Sequence, residues 1–287
     1  MQNSKFKIQN YAKGFFSHLL LVFVSIIVLY PFLWVVRMAL TPSQNFAMGL
    51  SPIPENASIS NFVEVVTNTD LAGTWVFGYQ LYNSIVISLL TAILGVFLAT
   101  TAGYAFSRFT FPGKKTCLSS LLITQMFPGT MMMIPLYILL DFTGLLDTKT
   151  GLILVYSTTS IPFSTWMLKG YFDTIPKDLE EAAKMDGAST LKIFLKIILP
   201  LAKPAIGITF LFSFMTAWNE FILAAKFMSN ETSYTLPVVL QSYVGARSTA
   251  WGHFAAGAIL VSAPVMALFF MLQRHMVEGL TAGSVKG

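Results

Sequence analysis

YFDTIPKDLEEAAKMDGASTLKIFLKIILPLAKP, residues 171–204, is the most charged stretch of a chain that is otherwise apolar. Long uncharged runs precede and follow it, so we expect it to lie outside the lipid, between two membrane-spanning segments. Its residues nevertheless follow helical patterns rather than those of an irregular loop. The sequence therefore predicts a short folded unit outside the membrane.

The first half of this stretch predicts an amphipathic helix. Thr174 is a suitable N-terminal cap, and Pro176 fits the first turn, where a missing N–H costs nothing. Glu180 and Lys184 are one turn apart and are expected to pair. Gly187 is expected to end the helix, because glycine adopts the left-handed conformation without strain.

The second half predicts another helix, which Ser189 or Thr190 begins and Pro200 ends. Its apolar stripe consists of Ile193, Phe194, Ile197 and Ile198. Two short amphipathic helices therefore meet near Gly187, and their apolar faces need a partner. They can pack on the chain's own bundle, lie in the lipid headgroup region, or dock in a groove of a soluble protein.

The composition is that of an integral membrane protein. Of the 287 residues, 55% are hydrophobic and 11% are charged, with a mean hydropathy of +0.67, whereas soluble domains carry about 25% charged residues. The first apolar run is too long for a signal peptide, and no small-residue cleavage site follows it. The single cysteine, Cys117, excludes an internal disulfide.

Six runs are long and apolar enough to cross a membrane, and we predict an all-α polytopic membrane protein with six transmembrane helices. The third run is interrupted by Pro128-Gly129 and Pro135. The domain division follows: an N-terminus over 1–18, a six-helix membrane domain over 19–274 that includes the 171–204 loop, and a tail over 275–287. The predicted spans are 19–36, 81–107, 116–140, 150–168, 204–224 and 254–273.

The positive charges indicate the orientation of the chain. Six spans place both termini on one side, and fourteen of the 18 Lys and Arg residues fall on that side, against four on the other. Positive charge accumulates on the cytoplasmic side of membrane proteins, so both termini and the 171–204 loop are predicted to be cytoplasmic. This distribution also accounts for the net charge of +5 without a nucleic-acid partner.

The sequence contains no recognisable catalytic or metal-binding motif. There is no GxxxxGKS/T phosphate loop, HExxH, CxxC or GxSxG, and the three histidines are isolated. Only Glu220, near the outer end of the fifth predicted span, places a charge inside a span, so the buried carboxylates and histidines of an ion-driven pump are missing. We predict a non-enzymatic protein with no metal ion or cofactor of its own.

Neutral polar and aromatic residues in the spans predict a path for an uncharged solute. Amide, hydroxyl and aromatic groups suit a hydroxyl-rich molecule such as a sugar. The same residue types also join membrane helices to one another and form interfacial belts, and the sequence leaves both roles open. The candidates for the solute path are Asn83, Gln125, Tyr156, Trp218, Asn219 and Glu220.

The 171–204 stretch also resembles a known family. Glu181-Ala182-Ala183, Gly187 after three residues, and Ile197-Ile198-Leu199-Pro200 after nine more match the EAA loop of ABC-importer permeases at every position. In that family the loop docks in a cleft of the cytoplasmic ATPase. The resemblance implies the type I ABC-importer permease fold, and it assigns coupling to the ATPase to Glu181, Ala182, Ala183, Asp186, Gly187, Ile197, Leu199 and Pro200.

Other segments resemble the maltose/maltodextrin permeases of this family, notably 105–114, 251–255 and the tail 279–287. The resemblance implies a subunit of a bacterial cytoplasmic-membrane importer. Its partners would be a MalF-like second permease, two MalK-like ATPase subunits that bind ATP and Mg, and an extracytoplasmic solute-binding protein, which the external loop 225–250 is a candidate to contact. The small cytoplasmic tail residues Ser284, Val285, Lys286 and Gly287 are candidates to reach the ATPase.

The implied function is alternating access, with the 171–204 loop as a rigid lever in which Glu181 anchors the ATPase cleft and Gly187 forms the turn. One alternative is an ABC permease for another neutral sugar, a polyol or glycerol-phosphate, although no buried cluster of Arg or Lys awaits a phosphate. The other alternative is a self-sufficient channel or secondary carrier. The 171–204 loop and the missing ion-coupling groups argue against the latter.

Overall fold

The computed structural model describes residues 2–46, 54, 56–245 and 248–283. This part of the chain is helical, with two isolated bridges as its only strand-like pairings, so the predicted all-α class is confirmed. A π-helical turn, Phe194–Ile198, joins α8 to α9. The helices are α1 (Gln2–Leu40), α2 (Ser60–Val66), α3 (Val76–Arg108), α4 (Lys114–Thr124), α5 (Met133–Phe142), α6 (Lys149–Thr174), α7 (Asp178–Met185), α8 (Thr190–Ile193), α9 (Leu199–Leu201), α10 (Lys203–Trp218), α11 (Ile222–Phe227), α12 (Leu236–Ser242) and α13 (Trp251–Gly283).

Three helices are long and apolar enough to cross a membrane: Phe16–Leu40 within α1, Val76–Arg108, and Trp251–Gln273 within α13. The pair Thr190–Leu201 and Lys203–Trp218 also qualifies when taken together, although it is bent by 76°. By length and composition, the described residues therefore contain three spans, or four if the bent pair is one span. The predicted count of six is not confirmed.

The other two predicted spans depart from simple apolar helices. The third is divided into α4 and α5, because Pro128 and Gly129, in the segment between them, disfavour a continuous helix. The fourth lies inside α6, which is continuous and keeps Pro162 within it. Proline is tolerated in a membrane helix where neighbouring groups satisfy the freed backbone carbonyl.

The chain divides into two compact units, and the first comprises residues 1–67 and 242–260. Its centre is the buried Asn61, whose Nδ2 donates to the carbonyls of Ala39 and Thr41 at 3.0 and 2.7 Å. The Asn61 Oδ1 accepts from Gln44 Nε2 at 2.7 Å. A Cβ on Gly252 would lie 2.7 Å from the Asn61 amide, so a side chain there would displace this amide from its hydrogen bonds.

The second unit, residues 68–241 and 261–287, is built on α3, α6 and α10 packed together. Small residues bring these helices close: a Cβ on Gly95 of α3 would lie 2.8 Å from Ser160 Oγ of α6. The buried hydroxyls of Thr100 and Thr209 donate to carbonyls one turn earlier in their own helices. Helices in lipid associate by close approach through small residues, because the lipid is itself apolar and provides no hydrophobic driving force between helices.

The 171–204 segment forms the two predicted helices, and the turn at Gly187 is confirmed. Gly187 has φ 78°, and its N–H donates to the Lys184 carbonyl at 3.0 Å. The next N–H, of Ala188, donates to the Ala183 carbonyl at 3.0 Å. These two bonds make a Schellman motif, which satisfies the last carbonyls of α7. Ser189 caps α8 as predicted, since its side chain accepts from the Lys192 N–H at 3.4 Å.

Three predictions about where these helices begin and end are wrong. Pro176 does not lie in the first turn of α7, which begins at Asp178 after its N-cap Lys177. Thr174 does not cap α7, because it is the last residue of α6 and donates to the Tyr171 carbonyl at 2.7 Å. Pro200 does not end the second helix, which continues to Leu201. The reason is the π-helical turn before Pro200, in which the Leu199 N–H donates to the carbonyl of Phe194, five residues earlier. This wider turn accommodates the proline ring, and the chain bends after Leu201 instead.

Candidate functional site

Residues 178–201, here called the coupling segment, have one buried and one exposed side. On the buried side, Ile193 and Ile198 pack in a cluster with Leu168 and Phe172 of α6 and with Ala99 of α3. The predicted apolar stripe is thus confirmed as the side that faces the chain's own bundle. The exposed side is mixed: charged residues such as Lys184, Lys192 and Lys196 lie on it, and large apolar side chains are left uncovered between them at Leu179, Met185, Leu191 and Leu195.

Glu180 does not pair with Lys184, and this prediction is wrong. Its carboxylate is buried, accepts from the Tyr104 hydroxyl at 2.9 Å, and forms an ion pair with the Arg108 guanidinium. Arg108 also donates through Nη2 to the Ile175 carbonyl at 2.8 Å. The buried pair forms because a carboxylate removed from water needs a charged and hydrogen-bonded partner, whereas Lys184 lies on the exposed side.

A second polar contact joins the ends of α3 and α6. Ser107 Oγ donates to Asp173 Oδ1 at 2.6 Å, and Lys169 Nζ lies 2.5 Å from Asp173 Oδ2. Partial burial alone would raise the pKa of Asp173, but the hydrogen bonds from Lys169 and Ser107 outweigh it and hold the pKa below its usual value. The Asp173 carboxylate, which lies at the end of α6 shortly before the coupling segment, therefore stays charged at neutral pH.

The residues assigned to ATPase coupling from the family resemblance lie along the coupling segment, most of them on its open side. Glu181, Asp186 and Gly187 are exposed around the turn that ends α7. Ala183 is half-buried against the bundle. The remaining members of the set are exposed at Ala182 and Pro200 and half-buried at Ile197 and Leu199.

The Tyr104–Arg108–Glu180 contact was not anticipated from the sequence. Arg108 looked like one more positive charge at a span end, and Glu180 like an exposed helix residue. The one available signal was the pair of adjacent glutamates, Glu180-Glu181, which point about 100° apart around a helix axis, so that one can face the bundle while the other faces solvent.

Among the candidates for the solute path, Gln125 lines an open cavity. The cavity has a volume of about 760 Å³ and lies along the break between α4 and α5, with Pro128 and Gly129 in its wall and Thr158 and Thr159 of α6 opposite. The Gln125 Nε2 donates to the Thr159 carbonyl at 2.9 Å. Irregular backbone within a membrane segment is tolerated where it lines a cavity, and the segment around Pro128 and Gly129 does line one.

Three other candidates are buried in the packed interior of the second unit. The amide of Asn83 donates to the carbonyls of Thr232 and Tyr234 at 2.8 and 3.1 Å. The Trp218 Nε1–H donates to the Val261 carbonyl at 3.2 Å, and the Tyr156 ring belongs to the core. In this conformation these three side chains connect parts of the chain to each other.

Glu220 and Asn219 lie at the break between α10 and α11. The Glu220 carboxylate accepts from the Tyr156 hydroxyl at 2.8 Å and from the Leu223 N–H at 3.0 Å. Glu220 therefore accepts hydrogen bonds from the free N–H groups in the first turn of α11 and links that turn to α6. Asn219 is the C-cap residue that follows α10, and it is exposed.

The tail residues Ser284, Val285, Lys286 and Gly287 lie outside the described residues. Their contact with the ATPase stays a prediction, which loss of sugar-stimulated ATP hydrolysis on deletion of residues 280–287 would support and unchanged hydrolysis would exclude.

The role of Asn83 can be tested by replacing it with leucine. Asn83→Leu removes both donors to the 232–234 segment and leaves two carbonyls without partners, at about 1–3 kcal/mol each. We expect amide hydrogen exchange over residues 228–240 to become about thirtyfold faster or more. Gln80→Leu is the matched control, since Gln80 gives one bond, to the Glu231 carbonyl at 3.1 Å. An equal acceleration in both variants would show that Asn83 is not the anchor.

Comparison with known proteins places the chain in a family. The profile of the binding-protein-dependent transport system inner membrane component matches residues 92–281, which is more than half of the chain. The chain therefore belongs to this family of ABC-importer permeases, as the EAA spacing predicted, and it is a non-catalytic membrane subunit.

Two relatives are similar to the chain over nearly its full length. The chain is 39% identical over 284 residues to the galactooligosaccharides transport system permease protein GanQ of Bacillus subtilis, covering 98% of both chains. It is 38% identical to the maltose/maltodextrin transport system permease protein MalG of Escherichia coli, covering 96% of this chain and 97% of MalG.

The fold has a close counterpart among solved structures. A bacterial ABC transporter involved in the import of the acidic polysaccharide alginate matches with a TM-score of 0.71 and 24% identity, covering 91% of this chain and 95% of that one. This likeness shows the fold. The identities to GanQ and MalG over nearly the full length make the chain a permease of the sugar or oligosaccharide type.

Proposed function

We propose that this chain moves maltodextrin-type oligosaccharides across the bacterial cytoplasmic membrane by alternating access, driven by a partner ATPase. The maltodextrin assignment is supported by the 38% identity to MalG over nearly the full length. The 39% identity to GanQ supports galactooligosaccharides as the second candidate substrate. Both are neutral oligosaccharides, which suits a cavity lined by amide, hydroxyl and apolar groups.

The observation that carries this proposal is the two-sided coupling segment. Its buried side is fixed to α3 and α6 by Ile193, Ile198 and the Glu180–Arg108 ion pair. Its exposed side presents large apolar residues, and Met185 is 89% exposed. A helical surface with uncovered apolar side chains among charged ones, joined to membrane helices, is what a docking element for a soluble protein requires.

In the proposed cycle, ATP closes a dimer of MalK-like subunits, which hold ATP and Mg, and the coupling segment follows the cleft in which it is docked. Glu181 is the polar anchor in that cleft. The spans then open outward to accept sugar from the solute-binding protein, with a MalF-like permease completing the path. This scheme places both termini in the cytoplasm, which the excess of Lys and Arg on that side supports.

The proposal is tested by transport into proteoliposomes that contain this chain, the second permease and the ATPase subunits of the same organism. With ATP inside and binding protein outside, we expect uptake of maltotriose that stops when any one component is left out. Galactotriose and an alginate trisaccharide serve as competitors. Preference for galactotriose would favour the second candidate substrate, and uptake without the ATPase would exclude the importer mechanism in favour of a self-sufficient carrier.

A further inference from the structure

The charged contact between α7 and the span α3 is a cluster of Tyr104, Arg108 and Glu180, here called the Arg108 clamp. The side chains of Arg108 and Glu180 are 6% and 7% exposed. Arg108 Nη2 also donates to the carbonyl of Ile175, in the linker that precedes α7. One guanidinium at the last turn of α3 therefore holds both the linker and the helix of the coupling segment.

Three aromatic rings pack around Tyr104 of the clamp. The ring centroid of Tyr104 lies 4.7 Å from that of Phe194 in the π-helical turn, and 5.9 and 6.0 Å from those of Phe109 and Phe172. The Arg108 and Glu180 side chains are nearly buried, although an open pocket that is also lined by Lys177, Glu181 and Lys184 borders them. Separating the two charges would leave two nearly buried charges unpaired, which is costly. That cost makes the Arg108–Glu180 connection stiff.

Stability alone does not account for this arrangement. Apolar residues of similar volume commonly stabilise a fold as well as a buried ion pair does, and the neighbouring contacts of Ile193 and Ile198 already bury the coupling segment against the bundle. Apolar contacts can slide along a surface, whereas a hydrogen-bonded ion pair holds two elements in one register. The distinctive property of the clamp is therefore a directional connection between α7 and α3.

We propose that Arg108 is a positioning residue that transmits the movement of the coupling segment to α3. When the ATPase displaces α7, the Arg108–Glu180 pair carries the displacement to the end of α3, and α3 is packed along α6 and α10. Without the pair, α7 moves with the ATPase, and its displacement is not transmitted to α3. The inference rests on the proposed function, since it concerns how the same segment couples hydrolysis to transport.

The test measures sugar uptake and ATP hydrolysis in one preparation of the complete transporter in proteoliposomes. In Arg108→Gln and in Glu180→Gln we expect uptake to fall about tenfold while the ATPase still co-purifies and hydrolyses ATP, so that more ATP is consumed per sugar. Exchange of the two charges, Arg108→Glu with Glu180→Arg, is expected to recover uptake above either single reversal. Tyr104→Phe, which removes one hydrogen bond and keeps the ion pair, is expected to raise the ATP-to-sugar ratio more mildly.

Lys115→Gln is the matched control, because it removes an exposed positive charge near the same end of α3 and should leave the ratio unchanged. Uptake and hydrolysis that fall in proportion in an assembled Arg108→Gln transporter would overturn the inference. If Arg108→Gln and Glu180→Gln do not assemble, Tyr104→Phe decides, and an unchanged ratio in that variant overturns the inference as well. A wild-type transporter without ATP-driven uptake would instead contradict the proposed function, so the two failures are distinguishable.

Discussion

Replacing Gly187 by proline is expected to abolish sugar uptake and sugar-stimulated ATP hydrolysis while the chain still inserts into the membrane. Gly187 has φ 78°, whereas proline fixes φ near about −65°. Proline also lacks the N–H that donates to the Lys184 carbonyl at 3.0 Å. The turn between α7 and α8 would open, and the coupling segment would lose the shape that acts as a lever. Uptake in proteoliposomes and the amount of chain in the membrane fraction measure the two effects.

Gly187→Asn is the matched control for this variant. Asparagine adopts the left-handed conformation more readily than other residues with a side chain. No atom lies within 4 Å of where its Cβ would be placed. We therefore expect Gly187→Asn to keep most of the uptake. Normal uptake in Gly187→Pro would exclude the lever, and a complete loss in both variants would assign the effect to the added side chain rather than to the backbone.

Replacing Met185 by aspartate is expected to detach the ATPase subunits from an otherwise intact permease. Met185 is 89% exposed, so the change should have little effect on folding. On docking, however, the new carboxylate would have to be buried in the cleft of the ATPase. We expect binding to weaken by ~2 kcal/mol or more, which is about thirtyfold. Co-purification of the ATPase with the tagged permease measures the effect.

Met185→Leu preserves an apolar side chain of similar size and should retain the ATPase. Leu191→Asp offers a second position on the exposed side, where the wild-type side chain is 66% exposed. ATPase that co-purifies normally with Met185→Asp and Leu191→Asp would show that this side of the coupling segment is not the docking surface. These variants also separate docking from transmission, because Arg108→Gln is expected to keep the ATPase bound.

The predicted helical pair was accessible from sequence because its signals are local. The left-handed turn at Gly187 and the cap at Ser189 depend on residues within a few positions, and both are present. Thr174 and Pro200 were misread for reasons that are not local. Thr174 is the last residue of α6. Pro200 is accommodated by a π-helical turn that the residues adjacent to it do not predict.

The number of spans also shows the difference between what local sequence signals predict and what depends on the fold. Hydropathy located the apolar runs, but it did not show which of them are continuous helices. The run over 116–140 is divided around Pro128 and Gly129, and its broken segment lines a cavity with α6. The solute-path candidates diverged likewise: Gln125 lines that cavity, while Asn83, Tyr156 and Trp218 are buried in contacts within the chain.

Composition and the spacing of Glu181, Gly187 and Pro200 were sufficient to specify an α-helical membrane subunit and its family, because hydrophobic length and motif spacing are properties of the linear chain. The choice of Arg108 rather than Lys184 as the partner of Glu180 was made only in the folded chain. Charge pairing depends on which side chains are removed from water together, and residues that are 72 positions apart meet only when α7 packs against the end of α3.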